Sequence, residues 1–578
     1  MVNNGISNRL LVYGFLDKDG IVDNYVLYQL RELKQHVSYI IFAVAGKLSN
    51  KSKKKLINLV DEIKVYDDVI FIKDLYRQVL SQLDKHRFLQ FEELIISNND
   101  MYGPIFPISK VFDHFKNSDV DFWGISRNYS WEENNIPVNS FVEMPEHIQD
   151  YFLVIKKSII HSEMFLSYWQ NEENISDTHH LTQFLEANGF RSDVYVHTDS
   201  WKNVCIAPLW FEASELIIEN QIPYFDRRVF INDNYKNITS CTFGEQVQKI
   251  LQFIREKTNY DEKLIWENAL RCTNMSDLHN NARLINVLSD RILSHKEHKR
   301  KILLVIHAYY SDCVSFVLRY IRRFPRHGDV LIVTPSEEVK LQYDLEIKNS
   351  DIPNHVIINL IPNRGRDVSG LLVGAKPYVD QYDLVFFVHD KKTTHVSPRS
   401  IGYSWQKKCF ENLLCSEIYV QNIVNLFEQE KCLGMAFPPP PYNVANHYRY
   451  LVGWEWSDSF IASKQLLEQF KTRSEYTEDK PPIAPFGTMF VFRPRALKKL
   501  FNGPKKNGWS YDDFPKEPIE NDGTMLHGLE RAYPFFVQDE GYYVSWILNE
   551  SWAANEISNY LTGWTEARKM IKPLFFGW

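Results

Sequence analysis

Two charged clusters follow hydrophobic, β-like runs in this 578-residue chain, and both hold residue types that a phosphate-handling site needs. Asn363, Arg364, Gly365, Arg366 and Asp367 follow the run Val356 to Ile361. His389, Asp390, Lys391, Lys392 and Thr393 follow the run Leu384 to Val388. A strand that ends on Asp beside His and Lys puts a carboxylate at the carboxyl edge of a sheet, where ligands bind in open α/β folds. Such a carboxylate can hold a divalent cation against a diphosphate. Arg364 and Arg366 add planar donors suited to phosphate or to a buried carboxylate, and Gly365 lets the backbone approach closely. Each piece has an ordinary alternative: a strand-end Asp forms turns and caps helices, and an Arg-Gly-Arg-Asp run forms solvated turns with a surface ion pair.

The elements around these clusters favour the first reading. Strand, charged loop, amphipathic segment (Leu371 to Val379), strand and Asp-bearing loop follow in the order of the nucleotide-sugar-binding half of an A-type glycosyltransferase. The chain also carries a diverged internal repeat. Leu10 to Val12 followed by Tyr25 to Leu30 matches Leu303 to Val305 followed by Phe316 to Ile321, each a strand leading into a helix. Second strands follow at Tyr39 to Val44 and Val330 to Val333, and Leu94 to Asp100 falls opposite Leu384 to Asp390, so that both strands end on Asp. The expected fold is α/β: two tandem glycosyltransferase A-type (Rossmann-like) domains, residues 1–231 and 301–578, joined by a helical connector over residues 232–300. Phe243 to Glu256 and Asp277 to His295 carry the apolar stripes that define the connector.

Composition narrows the partners. The length exceeds one ordinary core, and 44% hydrophobic with 24% charged residues is a globular balance. A net charge of −7 gives no basic face for nucleic acid. Seven scattered cysteines without a Cys-x-x-Cys pair argue against a disulfide framework or a structural zinc site and for a reducing cytosol. No signal-peptide pattern opens the chain and no run nears the roughly 20 apolar residues of a membrane span, so membrane contact is expected to be peripheral.

The run Pro362 to Val368, the stretch from Tyr382 to Thr393, Phe486 to Pro494 and Asp522 to Arg531 resemble the signatures of the rhamnan synthesis protein F family. The resemblance extends over essentially the whole chain. It implies a bacterial rhamnosyltransferase that uses dTDP-L-rhamnose to build cell-wall rhamnose polysaccharide on an undecaprenyl-type lipid carrier, alongside other enzymes of that pathway. A β-L-linked donor and an α-L-rhamnoside product imply inversion, which needs one base and no covalent intermediate. A non-catalytic carbohydrate-binding scaffold, or a transferase for another nucleotide sugar, are the competing functions.

Transfer requires a stabiliser for the departing diphosphate and a base for the acceptor hydroxyl. Asp390, helped by His389, is the expected ligand of Mg²⁺ or Mn²⁺. The usual Asp-x-Asp is replaced by His389-Asp390-Lys391-Lys392, so Lys391 or Lys392 could neutralise the diphosphate instead. Asp367 recognises base or ribose, or pairs with Arg364 or Arg366; Asn363 caps a helix or touches ligand. Asp522 is the favoured base and Glu520 its competitor, although an Asp ahead of a helix is commonly an N-cap. His527 and Glu530, three apart on one helical face, form a pair or contact the sugar.

In the first half, Lys73 to Arg77 stands where the second half has its Arg-Gly-Arg-Asp run, which points to an acceptor-binding or structural role rather than a second transferase. Pro438 to Pro441 is a stiff loop or a rim of the acceptor groove, with Trp454 and Trp456 as candidate sugar-stacking rings. Lys47, Lys51, Lys53, Lys54 and Lys55, and the tail from Arg568 to Trp578, are either solvated surface or a dock for an anionic leaflet.

Overall fold

Runs such as Ile302–His307 and Leu384–His389 are apolar at every position but the last and buried throughout, the pattern of parallel strands covered on both faces. The computed structural model describes residues 8–83, 85–130, 145–170, 178–202, 207–231, 246–294, 300–392, 399–440, 455–520, 522–559 and 561–562. The chain divides into two compact units, Met1–Ala269 and Leu270–Trp578.

The first unit holds β1 (Arg9–Leu16), β2 (Tyr39–Ala45), β3 (Glu62–Tyr66), β4 (Glu93–Asn98), β5 (Phe122–Gly124), β6 (Phe152–Lys156) and β7 (Ser192–Val194). Their order across the sheet is β3-β2-β1-β4-β6-β5-β7, with β6 antiparallel to both neighbours. The second unit holds β8 (Ile285–Leu288), β9 (Ile302–His307), β10 (Asp329–Thr334), β11 (Val356–Leu360), β12 (Leu384–His389), β13 (Leu433–Phe437), β14 (Phe490–Phe492) and β15 (Tyr543–Asn549). Its order is β11-β10-β9-β12-β14-β13-β15-β8, with β14 antiparallel to β12 and β13. Apart from the added β8, the second sheet repeats the order of the first strand for strand. The chain is therefore an α/β protein of parallel-rich sheets, and the sequence repeat corresponds to a repeated topology.

The expected connector does not stand apart as a segment. Helix Gln246–Lys257 falls within the first unit, the break lies inside helix Lys263–Cys272, and helix Met275–Asn281 belongs to the second unit. Where a helix was expected over Asp277 to His295, Ile285–Leu288 is instead an edge strand paired in parallel with β15. Its alternation of exposed Ile285 and Val287 with half-buried Asn286 and Leu288 is a two-residue period that the longer window averaged away.

One helix pair fixes the candidate catalytic side chains. Helix Met525–Asp539 lies against helix Phe460–Gln469, and a Cβ on Gly528 would come within 3.0 Å of the Ala462 carbonyl carbon. Glycine thus permits the close approach that holds the first turns of Met525–Asp539. Trp456 is core rather than a sugar platform: it is 4% exposed and its indole N–H donates to the Thr477 and Lys480 carbonyls. Trp454, Pro441 and the tail from Arg568 lie outside the described residues, whereas Pro438 to Pro440 are buried. Lys51, Lys53 and Lys54 are exposed on helix Asn50–Leu56, while Lys55 donates to the Val22 carbonyl at 2.8 Å. Among the described residues no helix is long and apolar enough to cross a membrane.

Candidate active site

In the second unit the chain order reverses between β9 and β12, which opens a crevice at their carboxyl ends. His307 and His389 are register partners there. The next residue, Asp390, folds back over the end of β9. Its N–H donates to the His307 carbonyl (3.2 Å), and its Oδ2 accepts from the N–H groups of Tyr309 (2.8 Å) and Tyr310 (2.7 Å). Asp390 is 5% exposed, and burial pushes its carboxyl up to about 6 although the two backbone donors pull it down. Its Oδ1 has no hydrogen-bond partner among the described residues.

His389 does not take the place expected of a metal ligand. Nδ1 lies 2.9 Å from the Asp390 carbonyl and Nε2 2.6 Å from the Gly487 carbonyl. Both ring nitrogens thus face carbonyl oxygens of the protein, and neither is directed at a cation site. His389 instead braces β12 to the loop that enters β14. Asp367 Oδ2 lies 4.0 Å from His389 Nε2 and is itself buried without a hydrogen bond among the described residues.

The two arginines are spent on a neighbouring loop. Arg364 donates to the Phe514 carbonyl, to Asp512 Oδ1 (2.7 Å) and to the Asp512 carbonyl (2.9 Å). Arg366 holds Glu517 through Nε (2.7 Å) and Nη2 (3.2 Å), and also the Ile519 carbonyl (3.1 Å). Gly365 (φ +77°) serves the same loop, because a Cβ there would fall 2.5 Å from Phe514 Cβ. The Arg-Gly-Arg turn thus clamps residues 512–519 and does not present two free guanidinium groups to a phosphate. Asn363 is exposed. Lys391 sits 3.7 Å from the centre of the Trp405 ring, and Lys392 pairs with Asp312.

Helix Met525–Asp539 supplies the other wall. Arg531, 4% exposed, lies between Asp522 Oδ1 (3.6 Å) and Glu530 Oε2 (3.5 Å) and donates to the His527 carbonyl (3.2 Å). Burial pushes the Asp522 carboxyl up. The Ser459 hydroxyl (2.6 Å), the Gly523 N–H (2.8 Å) and Arg531 outweigh burial and hold it below the usual range. A carboxylate held that low is a weak proton acceptor, which counts against Asp522 as the base. Glu530 Oε1 accepts from the Gly487 N–H. Glu520 is exposed and Asn521 lies outside the described residues. His527 is lowered by burial, its Nδ1 sits 2.8 Å from Thr524 Oγ1, and it responds electrostatically to Glu530, Asp522, Arg531 and Arg366.

Sequence reasoning passed over three participants: His307, Arg531 and Tyr533. The signal for Arg531 was present, since a cation flanked by Leu529, Ala532 and Tyr533 on an apolar helix must be buried and paired. The Tyr533 hydroxyl is buried without a hydrogen-bond partner among the described residues and couples electrostatically to Asp367 and Glu530. With Asp367 Oδ2, Asp390 Oδ1 and Arg531 Nε, it makes four buried polar atoms without a partner among the described residues, on the loops at the strand ends and on helix Met525–Asp539. Each costs about 1–3 kcal/mol when nothing pairs with it. Concentration of such atoms in a crevice is the mark of a ligand site. The unpaired Asp390 oxygen suits a hard cation, but among the described residues no set of three ligating side chains converges there.

The first unit differs at the corresponding edge. Register pairs Gly14 with Asn98 where the second unit pairs His307 with His389, so the counterpart of Asp390 is Asn99, and not Asp100 as the sequence alignment had it. Asn99 Oδ1 accepts from the Leu16 N–H (3.0 Å), two residues past Gly14, just as Asp390 binds the N–H two residues past His307. The structural role is retained and the charge is absent. The space over the end of the first strand is also filled from opposite sides. A Cβ on Gly14 would meet Tyr76 Oη at 3.0 Å, and one on Gly370 would meet His307 Cδ2 at 2.6 Å. Asp100 reaches solvent, yet the protein packed around it pushes its carboxyl up to about 6, with Arg227 opposing and Asp150 and Asp226 adding to the rise.

Fold and crevice define an α/β protein with its principal candidate site at the β9–β12 switch point. The chain belongs to the rhamnan synthesis protein F family, which matches residues 40–542. No curated protein matches it. Similar solved structures include 4-diphosphocytidyl-2C-methyl-D-erythritol synthase from Anaerococcus prevotii (14% identity, 33% of this chain and 89% of that one, TM-score 0.24). TarS from S. aureus (12%, 43% and 58%, TM-score 0.21) and the glycosyltransferase GlyE from Streptococcus pneumoniae (8%, 67% and 87%, TM-score 0.21) are others. At these TM-scores the assignment rests on the family.

Proposed function

We propose that the second unit is an inverting glycosyltransferase that moves L-rhamnose from dTDP-β-L-rhamnose to a lipid-linked, rhamnose-containing acceptor at the cytoplasmic face of the membrane. The supporting observation is the group of four buried polar atoms without a partner among the described residues, on the strand-end loops and on helix Met525–Asp539, in a chain of the rhamnan synthesis protein F family. Asp390 faces the donor diphosphate, and Mg²⁺ or Mn²⁺ held by it would offset the leaving group's charge. His527 accepts the acceptor's proton. Burial lowers its proton affinity and keeps the imidazole neutral near pH 7, and in the tautomer that donates from Nδ1 to Thr524 Oγ1 the Nε2 lone pair is left for the hydroxyl. Arg531, held by Asp522 and Glu530, supplies fixed positive charge beside the reacting groups.

Incubation with dTDP-L-rhamnose and an undecaprenyl-linked rhamnose acceptor, read by product mass and linkage, tests the reading. His527→Gln is expected to lower kcat about 10²-fold or more. Retained binding of rhamnan oligosaccharide without transfer from any nucleotide sugar would establish a scaffold instead.

The units are proposed to be unequal. Arg366→Ala, which frees the 512–519 loop, is expected to weaken dTDP binding at least tenfold, and Asp100→Ala to leave it within about twofold. The magnitudes reflect loss of a charge-assisted clamp in the first case and, in the second, a first unit whose counterpart of Asp390 is the uncharged Asn99. Calorimetric titration that finds two equivalent dTDP sites, one lost in each variant, would overturn this.

A further inference from the structure

The opposite edge of the second sheet holds a cavity of about 560 Å³, bounded by Arg300, Lys376, Asp383, Arg493, Arg495 and Lys498. Leu384, which opens β12, also lines it. Asp390 stands six residues further along the same chain, so at a strand rise of about 3.3 Å per residue the cavity is roughly 20 Å from the crevice. Nothing bound here touches the reacting atoms.

Its acids are mostly neutralised from within. Glu428 lies 2.6 Å from Arg300 and 3.2 Å from Lys431, and the hydrogen bond from Arg300, then that from Lys431, outweigh burial to hold it down at about 2. Asp383 accepts from the Lys301 N–H (3.0 Å) and faces Arg300 at 3.9 Å. Lys376, Arg495 and Lys498 form no ion pair among the described residues. Arg493 is 8% exposed. Its Nε donates to the Leu433 carbonyl (2.8 Å), and Nη2 to the carbonyls of Phe427 and of Glu430 (3.3 Å). Nη1 carries no hydrogen bond among the described residues, and no carboxylate lies within ion-pair distance of this guanidinium. Four cations therefore stand against Asp380 as the remaining carboxylate.

A buried cation whose partners are carbonyl dipoles and the Phe427 ring (5.2 Å), with Glu428 acting on it only from beyond ion-pair distance, calls for a further counter-charge. We propose that the cavity is a second, non-catalytic site for a phosphate-bearing anion, a phosphate ester or diphosphate. Arg493 meets it at the base, Lys376, Arg495 and Lys498 meet it at the rim, and Val379, Pro494 and Phe501 lie against its less polar part. The same chemistry is offered by a soluble phosphate and by a lipid headgroup.

Inorganic pyrophosphate is titrated calorimetrically into the full chain without divalent ions, then into Arg495→Glu with Lys498→Glu, into Lys376→Glu, and into Asp390→Asn. Arg495 and Lys498 are exposed and Lys376 half-buried, so these charge reversals leave the core intact. Wild type and Asp390→Asn are expected to bind alike, and the reversals to bind at least tenfold more weakly with an unchanged Tm. No binding by wild type in the millimolar range, or unchanged binding by the reversals, overturns the proposal; so does a change of affinity confined to Asp390→Asn, which would put the anion in the crevice. Sedimentation with vesicles of phosphatidic acid in phosphatidylcholine, abolished by the same reversals, assigns the lipid source. Pyrophosphate binding without sedimentation assigns the soluble one.

Discussion

Asp390→Asn is expected to fold like the parent and to lose at least about 10²-fold in transfer, because the carboxylate that would hold a cation against the diphosphate goes while the loop's hydrogen bonds stay. The first unit already shows that an amide suits this position, since Asn99 binds the Leu16 N–H in the same way. Asp390→Ala is the harsher change. It removes the acceptor of the Tyr309 and Tyr310 N–H groups, at about 1 kcal/mol for each hydrogen bond lost. The Asn variant also carries a pH signature. The folded value of Asp390, about 6, lies above its unfolded value near 4, so the proton favours the folded state. That contribution is full below the unfolded value and is lost as pH rises through about 6. The Tm of Asp390→Asn relative to the parent should therefore rise between pH 5 and pH 7.5. A flat difference would show that Asp390 is not desolvated, and full transfer by the variant would remove it from the chemistry.

Arg531→Met is expected to cost on the order of 3 kcal/mol in urea-unfolding free energy and to abolish transfer. The guanidinium is buried between Asp522 and Glu530, and removing one member of such a set leaves its partners uncompensated. Neutralising them in the same background, Asp522→Asn with Glu530→Gln, should recover much of the stability and none of the transfer. Recovery of both would reduce Arg531 to a structural counter-ion. Unaltered stability in the single variant would show that the two carboxylates are independent of it.

Strands buried on both faces were legible because their apolar runs need no partner to be recognised, as in Leu303 to Val305 and Leu384 to Val388. Edge strand Ile285–Leu288 was not, because half its side chains face solvent and its alternation spans only four residues. At the site, residue types pointed to the right sheet edge but not to the right bonds. Arg364 and Arg366 looked like phosphate donors, whereas Asp512 and Glu517, some 150 positions later, hold them. Their acid-rich loop was in view, but only the fold brings it near. Matching Asp100 to Asp390 by charge misplaced the repeat by one residue. The backbone donor each strand end must satisfy, and not the sign of the side chain, identifies Asn99 as the counterpart.

That pairing also bears on how the two halves of the gene can diverge. Every Asn codon begins AA and every Asp codon GA, with the same choice of third base, so the two strand ends are one transition apart at this position. Both side chains bind the same backbone N–H, so the step in either direction need not pass through a misfolded intermediate. Selection can therefore switch the charge of one half without rebuilding its scaffold, and a chain that carries the unit twice keeps a spare copy on which to try it.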